Sequence, residues 1–168
     1  MSMARRLRIE LTRRGVSCTA RLLDEQAPRT ADAVWEALPQ SGQVYHGKYA
    51  RNEIYALVPP FGGIGDTREN TTVTPIPGDI CYFHFTPEQL GNPAYGYDAD
   101  SEAGTGDLVD LALFYGRNNL LINGDQGWIP GTVVATVEEG LEEMAAACAS
   151  IWMDGARGET LAFSRLEG

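Results

Sequence analysis

The chain has few lysines and few cysteines, and these two shortages exclude several classes of chemistry. Lys48 is the single lysine among 168 residues, so covalent catalysis through a Schiff base would depend on that residue alone. The three cysteines, Cys18, Cys81 and Cys148, are widely spaced and form no CxxC pair. Neither a disulfide framework nor a zinc site is predicted. We expect a reduced, cytoplasmic protein with no metal site and no cofactor.

Positive charge is also scarce, which excludes further partners. The chain has 13 basic and 23 acidic residues, giving a formal net charge of -10. Nucleic acids are bound through basic side chains, so no nucleic-acid partner is expected. No apolar run approaches the roughly 20 residues that cross a bilayer, and the segment after Arg8 is broken by charged residues, unlike a signal peptide. We expect no membrane partner and a frayed segment over residues 1–6.

Short alternating segments dominate the remaining sequence and predict a mainly β domain over residues 1–168. Alternation over residues 7–11 and 16–22 predicts one hairpin, and residues 43–49 and 53–58 predict a second. Two central strands are predicted at 78–85 and 107–117, and two more at 132–136 and 160–166. Helical spacing predicts helices over 28–38 and 137–154, the second starting at a capping box that begins with Thr136.

The two central strands carry most of the candidate functional residues. In the first, Phe83 and its alternate neighbours should face the core, which directs Tyr82 and His84 outward. In the second, Tyr115 shares a face with branched residues, and Arg117 lies at the strand end, where a guanidinium can bind a carboxylate.

Residues 86–106 form a long acidic segment with little periodicity. A loop of this length is usually functional or mobile. Its Asp98-Ala99-Asp100 start is similar to a calcium loop, but Ala103 and Val109 stand where such a loop needs Gly and Glu. We therefore predict a solvated acidic loop or lid without calcium.

The order of strands and helices favours a closed barrel. No alternation of strands and helices is present, so a doubly wound parallel sheet is disfavoured. A barrel capped by two amphipathic helices satisfies the pattern, because closure removes exposed strand edges.

Several short runs resemble a bacterial cyclophilin-like protein family of unknown function. They are Ala27-Pro28-Arg29-Thr30-Ala31-Asp32, Trp35 with Leu38-Pro39, Asn52-Glu53-Ile54-Tyr55, Pro77-Gly78-Asp79-Ile80 and Phe114-Tyr115-Gly116-Arg117. The resemblance covers most of the chain between Leu7 and Trp152. It implies a cyclophilin-like closed eight-stranded β-barrel capped by two α-helices, in agreement with the pattern of strands.

The resemblance does not carry prolyl isomerase activity with it. Isomerases of this fold use a Phe-His-Arg stretch and a downstream Phe-Met-x-Gln-Gly-Gly stretch. The nearest runs here are Tyr45-His46-Gly47 and Phe61-Gly62-Gly63, which lack the arginine and the glutamine. A weak or lost peptidyl-prolyl isomerase is kept as an alternative.

The leading hypothesis is a barrel that binds a small polar metabolite or a peptide fragment in a cleft on the outer sheet face. The candidate ligand-binding residues lie on predicted strands or strand ends, and they are Tyr55, Tyr82, His84, Tyr115 and Arg117. Tyrosines would supply apolar walls and hydroxyl donors, and Arg117 would hold a carboxylate.

The main alternative is an enzyme, or an accessory subunit, acting on amides or cyclic amides. It rests on analogy with oxoprolinase-type assemblies. His46 or His84 would be the general base and Glu53 would orient it, which requires hydrogen-bond contact between them. A purely structural or partner-binding role also stays open, and so does a homo-oligomer.

Overall fold

The strands follow the alternation of the sequence along most of the chain. The computed structural model describes residues 3–97 and 105–167. Within these residues lie twelve strands: β1 (Arg6–Leu11), β2 (Val16–Leu22), β3 (Gln40–Gln43), β4 (Tyr45–His46), β5 (Glu53–Val58), β6 (Thr71–Thr72), β7 (Asp79–Phe85), β8 (Leu108–Phe114), β9 (Ile122–Asn123), β10 (Gly127–Trp128), β11 (Gly131–Glu139) and β12 (Thr160–Leu166). The helices are α1 (Pro28–Ala37), α2 (Pro87–Leu90) and α3 (Leu141–Asp154), with a 3-10 turn at Pro93–Tyr95. The two predicted hairpins and the closing strand are confirmed.

Ten of the strands form one antiparallel sheet whose edges are not joined. The hydrogen-bonded order is β3-β12-β1-β2-β11-β7-β8-β5-β4, with β6 paired to β11, while β9 and β10 form a separate hairpin. Among the described residues no ladder joins β3 to β4, so the sheet is not closed into a barrel. The mainly β prediction is confirmed. The closed eight-stranded barrel is not confirmed, and residues 3–97 and 105–167 contain three α-helices, whereas two were predicted.

The two longer helices bury their apolar stripes against one face of the sheet. Ala31 and Val34 of α1 and Met144, Cys148 and Ile151 of α3 are all at most 3% exposed. They pack in one apolar core with residues of β1, β2, β5, β7 and β8. We call this side of the sheet the inner face. No helix in the described ranges is long and apolar enough to cross a bilayer.

Helix α3 begins later than the predicted capping box at residues 136–139. Strand β11 continues through these positions, because Val137 pairs with Ala20 and Glu139 with Thr19 of β2. Gly140 then turns the chain with φ of 83°, a conformation that favours glycine. The predicted start is wrong because strand pairing satisfies the backbone groups that the box would have capped.

Both faces of the central strands are buried, which corrects the prediction for β7. Ile80 and Tyr82 point into the inner core, whereas Phe83 and Phe85 pack in a second apolar cluster on the opposite, outer face. Tyr82 is only 2% exposed. The prediction that Tyr82 points outward is therefore wrong. Alternation does not identify the solvent face when both faces are covered.

The outer face is covered by residues 86–97 and by the β9-β10 hairpin with its flanks. Leu90, Tyr97, Leu121 and Ile129 of these segments pack on the outer cluster. The predicted acidic loop over 86–106 thus contains α2 and the 3-10 turn. Residues 98–104 of that loop, which include the acidic run considered for calcium, lie outside the described residues.

The N-terminal segment has defined partners from Arg5 onward. Arg5 forms ion pairs with Asp24 and Asp32, and Arg6 opens β1 and pairs with Glu138 at 2.9 Å. Residues 1–2 of the segment predicted to fray lie outside the described residues.

Candidate ligand-binding cleft

A cleft opens on the outer face where the covering segments meet β5, β7 and β8. Its cavity has a volume of about 100 Å³. Side chains from the strands and from the cover line it, among them Glu53, Tyr55, Phe83, Asp110, Tyr97 and Gln126. Phe85, Leu90 and Leu121 add apolar wall. Two carboxyl groups therefore face a largely apolar space.

Asp110 lies in the middle of β8 and points to the outer face. It opposes Phe83 on β7 and Leu57 on β5, and it is 5% exposed. Its Oδ1 atom is buried and has no hydrogen-bond partner among the described residues. Burial raises the pKa of Asp110 well above its usual range, and repulsion from Glu53 raises it further. A neutral carboxyl group is therefore expected near pH 7.

Glu53 begins β5 and shares the outer face with Asp110. It is 7% exposed, and burial raises its pKa to about 8. Gly47 makes room for this side chain, because a Cβ at Gly47 would lie 2.5 Å from Glu53 Oε1. Two interacting carboxyl groups titrate as a pair, so we expect the pair to retain a proton at neutral pH.

A pair of tyrosines forms one wall between the strands and the cover. The hydroxyl oxygens of Tyr55 and Tyr97 are 2.5 Å apart, and the ring of Tyr45 lies edge-on to Tyr97 with centroids 5.1 Å apart. Burial raises the pKa of both hydroxyl groups above the usual tyrosine range. Both hydroxyls therefore stay protonated, and the hydrogen bond between them fixes Tyr97 of the cover to β5.

Gln126, which lines both the outer cleft and the neighbouring cavity beside Tyr82 and His84, carries a second unpaired acceptor. Its amide nitrogen donates to the carbonyl oxygen of Gln89 at 3.0 Å and to the hydroxyl of Tyr95 at 3.2 Å. The backbone carbonyl of Gln89 can only accept a hydrogen bond, so the side-chain atom of Gln126 that contacts it must be the amide nitrogen. Gln126 Oε1 is then left buried and without a hydrogen-bond partner among the described residues. Asp110 and Gln126 carry the two buried side-chain atoms of residues 3–97 and 105–167 that lack such a partner.

Among the predicted site residues, Glu53 and Tyr55 line this cleft, and His46 does not. His46 opposes Ile54 and so points to the inner face, away from Glu53. Its Nδ1 donates to the carbonyl of Gly47 at 2.9 Å, so its Nε2 accepts from the Tyr115 hydroxyl at 2.6 Å. Burial lowers the pKa of His46, which keeps the ring neutral in this arrangement.

His84 and Tyr82 line a different cavity, of about 430 Å³. His84 Nε2 lies 3.2 Å from Asp107 Oδ2, and the Tyr82 hydroxyl donates to the carbonyl of Gly65 at 2.7 Å. His84 opposes Val109, a residue of the inner core, so it too lies on the face opposite Glu53. Within the described residues, no group of three or more His, Cys, Asp or Glu side chains is placed to hold a metal ion.

Arg117 lines neither of these cavities. Its side chain is exposed, and its backbone carbonyl accepts a hydrogen bond from Asn52 Nδ2 at 2.8 Å. The predicted ligand-binding residues are therefore divided between the outer cleft, the second cavity, the inner-face contact of Tyr115 and the surface.

The sequence pattern contained a signal for Asp110 but none for Gln126. Asp110 is the one charged residue on the strand face that it shares with Leu108, Ala112 and Phe114, and a lone acid on an apolar face indicates a buried carboxyl group. Gln126 follows a turn in a segment without periodicity, and only its contacts with Gln89 and Tyr95 reveal its place.

The family model for a protein of unknown function, DUF3830, matches residues 9–163. The chain therefore belongs to this family. No curated protein matches it. Neither a cyclophilin fold nor a bacterial source is part of the family description, so these parts of the resemblance stay predictions.

Several solved structures are similar to the chain, including the following two. One is the structure of McbB in complex with tryptophan, with a TM-score of 0.63 and 18% identity over 96% of this chain. The chain spans 45% of the length of McbB. The other is the solution structure of the hypothetical protein AF2241 from Archaeoglobus fulgidus, with a TM-score of 0.52 and 20% identity over 99% of this chain and 98% of that one. At these identities the likeness shows the fold alone.

Proposed function

We propose that this member of the DUF3830 family binds a small molecule that inserts an N–H group, carried on a flat apolar body, into the outer cleft. One observation carries the proposal: two buried acceptor atoms without partners, Asp110 Oδ1 and Gln126 Oε1, belong to residues that line the same cavity. The proposal retains a small-molecule ligand on the outer face and keeps Tyr55 in the site, but Tyr82, His84, Tyr115 and Arg117 do not line this cleft.

The energetics favour a ligand with hydrogen-bond donors. A buried polar atom left unpaired costs about 1–3 kcal/mol, and native proteins contain few such atoms. A bound N–H group would satisfy each acceptor and recover part of that cost. Because Asp110 is expected to be neutral, an uncharged N–H donor suits it better than an ammonium group, which would require it to ionise in an apolar site.

The walls and the volume limit what can enter. Tyr55, Tyr97, Phe83 and Phe85 present aromatic surface, which suits a flat apolar group. The cavity volume of about 100 Å³ is smaller than the roughly 150 Å³ of an engineered cavity that holds benzene. It therefore has room for no more than one ring, and the rest of the ligand must lie in the open mouth. A water molecule held by the two acceptors is the competing occupant.

One structural neighbour was solved with a ligand of related chemistry. McbB was solved in complex with tryptophan, whose indole ring is a flat apolar body with an N–H group. The likeness extends to the fold alone, so the support comes from the chemistry of the cleft and is only consistent with that complex.

The proposal is tested with two isosteric one-ring amides, 3-(4-aminophenyl)propanamide and 3-(4-methylphenyl)propanamide. They differ only at the 4-position of the ring, where one carries an amino group and the other a methyl group. We expect the amino compound to bind at least several-fold more tightly in ligand-observed NMR titrations. Asp110→Leu, which removes the acceptor, should abolish this preference.

The control is Glu159→Gln, which changes an equally buried carboxyl group that does not line the cleft. It should leave the preference for the amino compound unchanged in the folded protein. Equal binding of the two compounds, or no binding of either, would mean that the acceptors are satisfied by water and would overturn the proposal.

The amide-acting enzyme loses the arrangement on which it depended. Both histidines lie on the inner face, His46 with its ring nitrogens occupied by Gly47 and Tyr115, and Glu53 lies on the outer face. Neither histidine is thus oriented by Glu53. Weak prolyl isomerase activity, a cytoplasmic location and a homo-oligomer stay predictions.

The cyclophilin-like barrel also stays a proposal. Its support is the approach of the edge strand β3 to β5 without a ladder between them. A Cβ at Gly42 of β3 would lie 3.2 Å from the carbonyl oxygen of Leu57, so the two ends of the sheet come close together.

A further inference from the structure

Lys48, the single lysine of the chain, lies at the mouth of the outer cleft. It lines the cavity while its side chain is exposed, and it directly follows Gly47, against which Glu53 packs. Its Nζ donates to the backbone carbonyl of Tyr95 at 2.5 Å. An ammonium group has three donors, so this contact positions Nζ over the mouth and leaves two donors for another acceptor.

The ammonium group of Lys48 has no carboxylate partner among residues 3–97 and 105–167, although the protein is acidic. Many of the arginines have one, for example Arg6 and Arg21 with Glu138 and Arg14 with Glu159. Among the described residues, no carboxylate lies within ion-pair distance of Lys48. Arginine is absent from the residues that line this cavity. In the part of the chain that the structure describes, Lys48 is therefore the one cation that lines the cleft, and it has no carboxylate partner there.

We infer that the ligand carries a carboxylate group, which Lys48 binds at the mouth while the N–H head enters between Asp110 and Gln126. This inference rests on the proposed function and names its ligand class: a monocarboxylate with one flat ring and an N–H donor at the far end. One ammonium group balances one negative charge, which favours a carboxylate over a dianionic phosphate. The net charge of -10 disfavours anions elsewhere on the surface, so recognition of a carboxylate depends on this local cation.

The size of the expected effect follows from the exposure of Lys48. An exposed ion pair contributes little, and a charge-assisted hydrogen bond adds to it, so we expect about a 3- to 10-fold gain in affinity at low ionic strength. The gain should shrink as salt is added, because exposed charges are screened over about 10 Å at 0.1 M.

The experiment compares 3-(4-aminophenyl)propanoate with its neutral amide in calorimetric or NMR titrations at pH 7 and low salt. The wild-type protein should prefer the carboxylate by about 3- to 10-fold. Lys48→Gln should remove this preference without changing the affinity for the amide, and Lys48→Arg should restore most of it. Arg117→Gln is the matched control, since Arg117 is an exposed cation outside the cleft, and it should change neither affinity.

The outcomes separate the inference from the proposed function. If the amino amide binds in an Asp110-dependent way but the carboxylate gains nothing, or if Lys48→Gln weakens both ligands equally, the inference alone is overturned. A preference that disappears in Arg117→Gln would assign the carboxylate to Arg117 and also overturn it. If neither ligand binds, both the inference and the proposed function are wrong.

Discussion

Two buried carboxyl groups in this protein have opposite surroundings. Glu159, 1% exposed, accepts hydrogen bonds from the backbone N–H groups of Arg13, Arg14 and Thr160 at 2.8 to 3.0 Å and from the Arg14 guanidinium at 3.1 Å. Asp110, 5% exposed, has an oxygen with no partner among the described residues. The carboxylate of Glu159 joins the β1-β2 turn to β12, whereas the carboxyl group of Asp110 faces a cleft.

The pKa shifts of the two groups have opposite signs because the two groups differ in their hydrogen bonds. Burial alone raises the pKa of Glu159, but the hydrogen bonds to its carboxylate outweigh burial and bring the pKa below the usual value. Burial raises the pKa of Asp110 without that compensation. A buried acid that stabilises the fold is thus fully paired, whereas an unpaired one lowers stability and is better explained by a ligand.

The largest expected effect on the free energy of unfolding comes from replacing Glu159. Replacing it by leucine leaves three backbone donors and the Arg14 guanidinium without their acceptor. We expect Glu159→Leu to lower the free energy of unfolding by about 3–5 kcal/mol, measured by urea denaturation. Glu143→Leu, at an exposed site on α3, should change it by about 0.5 kcal/mol or less. A loss below about 1 kcal/mol at Glu159 would contradict a structural role.

A smaller effect of opposite sign is expected at Asp110. Asp110→Leu replaces an unpaired carboxyl group by an apolar group of the same branching, which is larger but borders the cavity beside Phe83 and Leu57. We expect the free energy of unfolding to rise by about 1–3 kcal/mol, with loss of ligand binding, as is common at functional sites. Asp110→Asn keeps an unpaired acceptor and should stabilise less. A destabilised Asp110→Leu protein would show that the carboxyl group has partners and would remove the contrast with Glu159.

Local periodicity predicted most of the strands and α1, because alternation and helical spacing depend on neighbouring residues. It could not assign the faces of β7. The covering segments at 86–97 and around β9 and β10 have no periodicity, so local patterns do not predict them. They bury Phe83 on the outer face, which would be open to solvent if only the inner face of the sheet were covered. Tyr82 was consequently expected to point outward, whereas it lies in the inner core.

The candidate site was only partly predictable for the same reason. Glu53 and Tyr55 were identified because they lie on a strand dense in polar and aromatic groups. Asp110 could be recognised as a lone acid in an apolar strand, but its role depends on the side chains of the covering segments. Gln126 and Tyr97 reach the cleft through contacts between distant segments, and one sequence contains no record of such contacts.

The smallest expected effects are the pH slopes of stability, which should differ between the two regions. The pKa values of Glu53 and Asp110 are raised, so the folded state holds protons that the unfolded state releases as pH rises through about 3.8 for Asp110 and 4.5 for Glu53. The contribution of Glu53 to stability is complete below about pH 4.5 and is lost as pH rises towards about 8. The contribution of Asp110 is likewise lost as pH rises through its raised folded value. Glu159 behaves oppositely: its lowered pKa gives a contribution present above about 4.5 and lost as pH falls through its folded value.

These slopes are separable with two variants measured by urea denaturation between pH 3 and 9. Glu159 contributes to the acidic limb together with Glu69 and Glu138, whose pKa values are also lowered. Glu159→Gln should therefore reduce the decline at low pH and leave the decline above neutrality. Asp110→Leu should do the reverse, since it removes one of the two raised carboxyl groups and the repulsion that it exerts on Glu53. If Asp110→Leu leaves the alkaline limb unchanged, the cleft carboxyl groups are ionised in the folded protein, and a cationic head group becomes the better ligand.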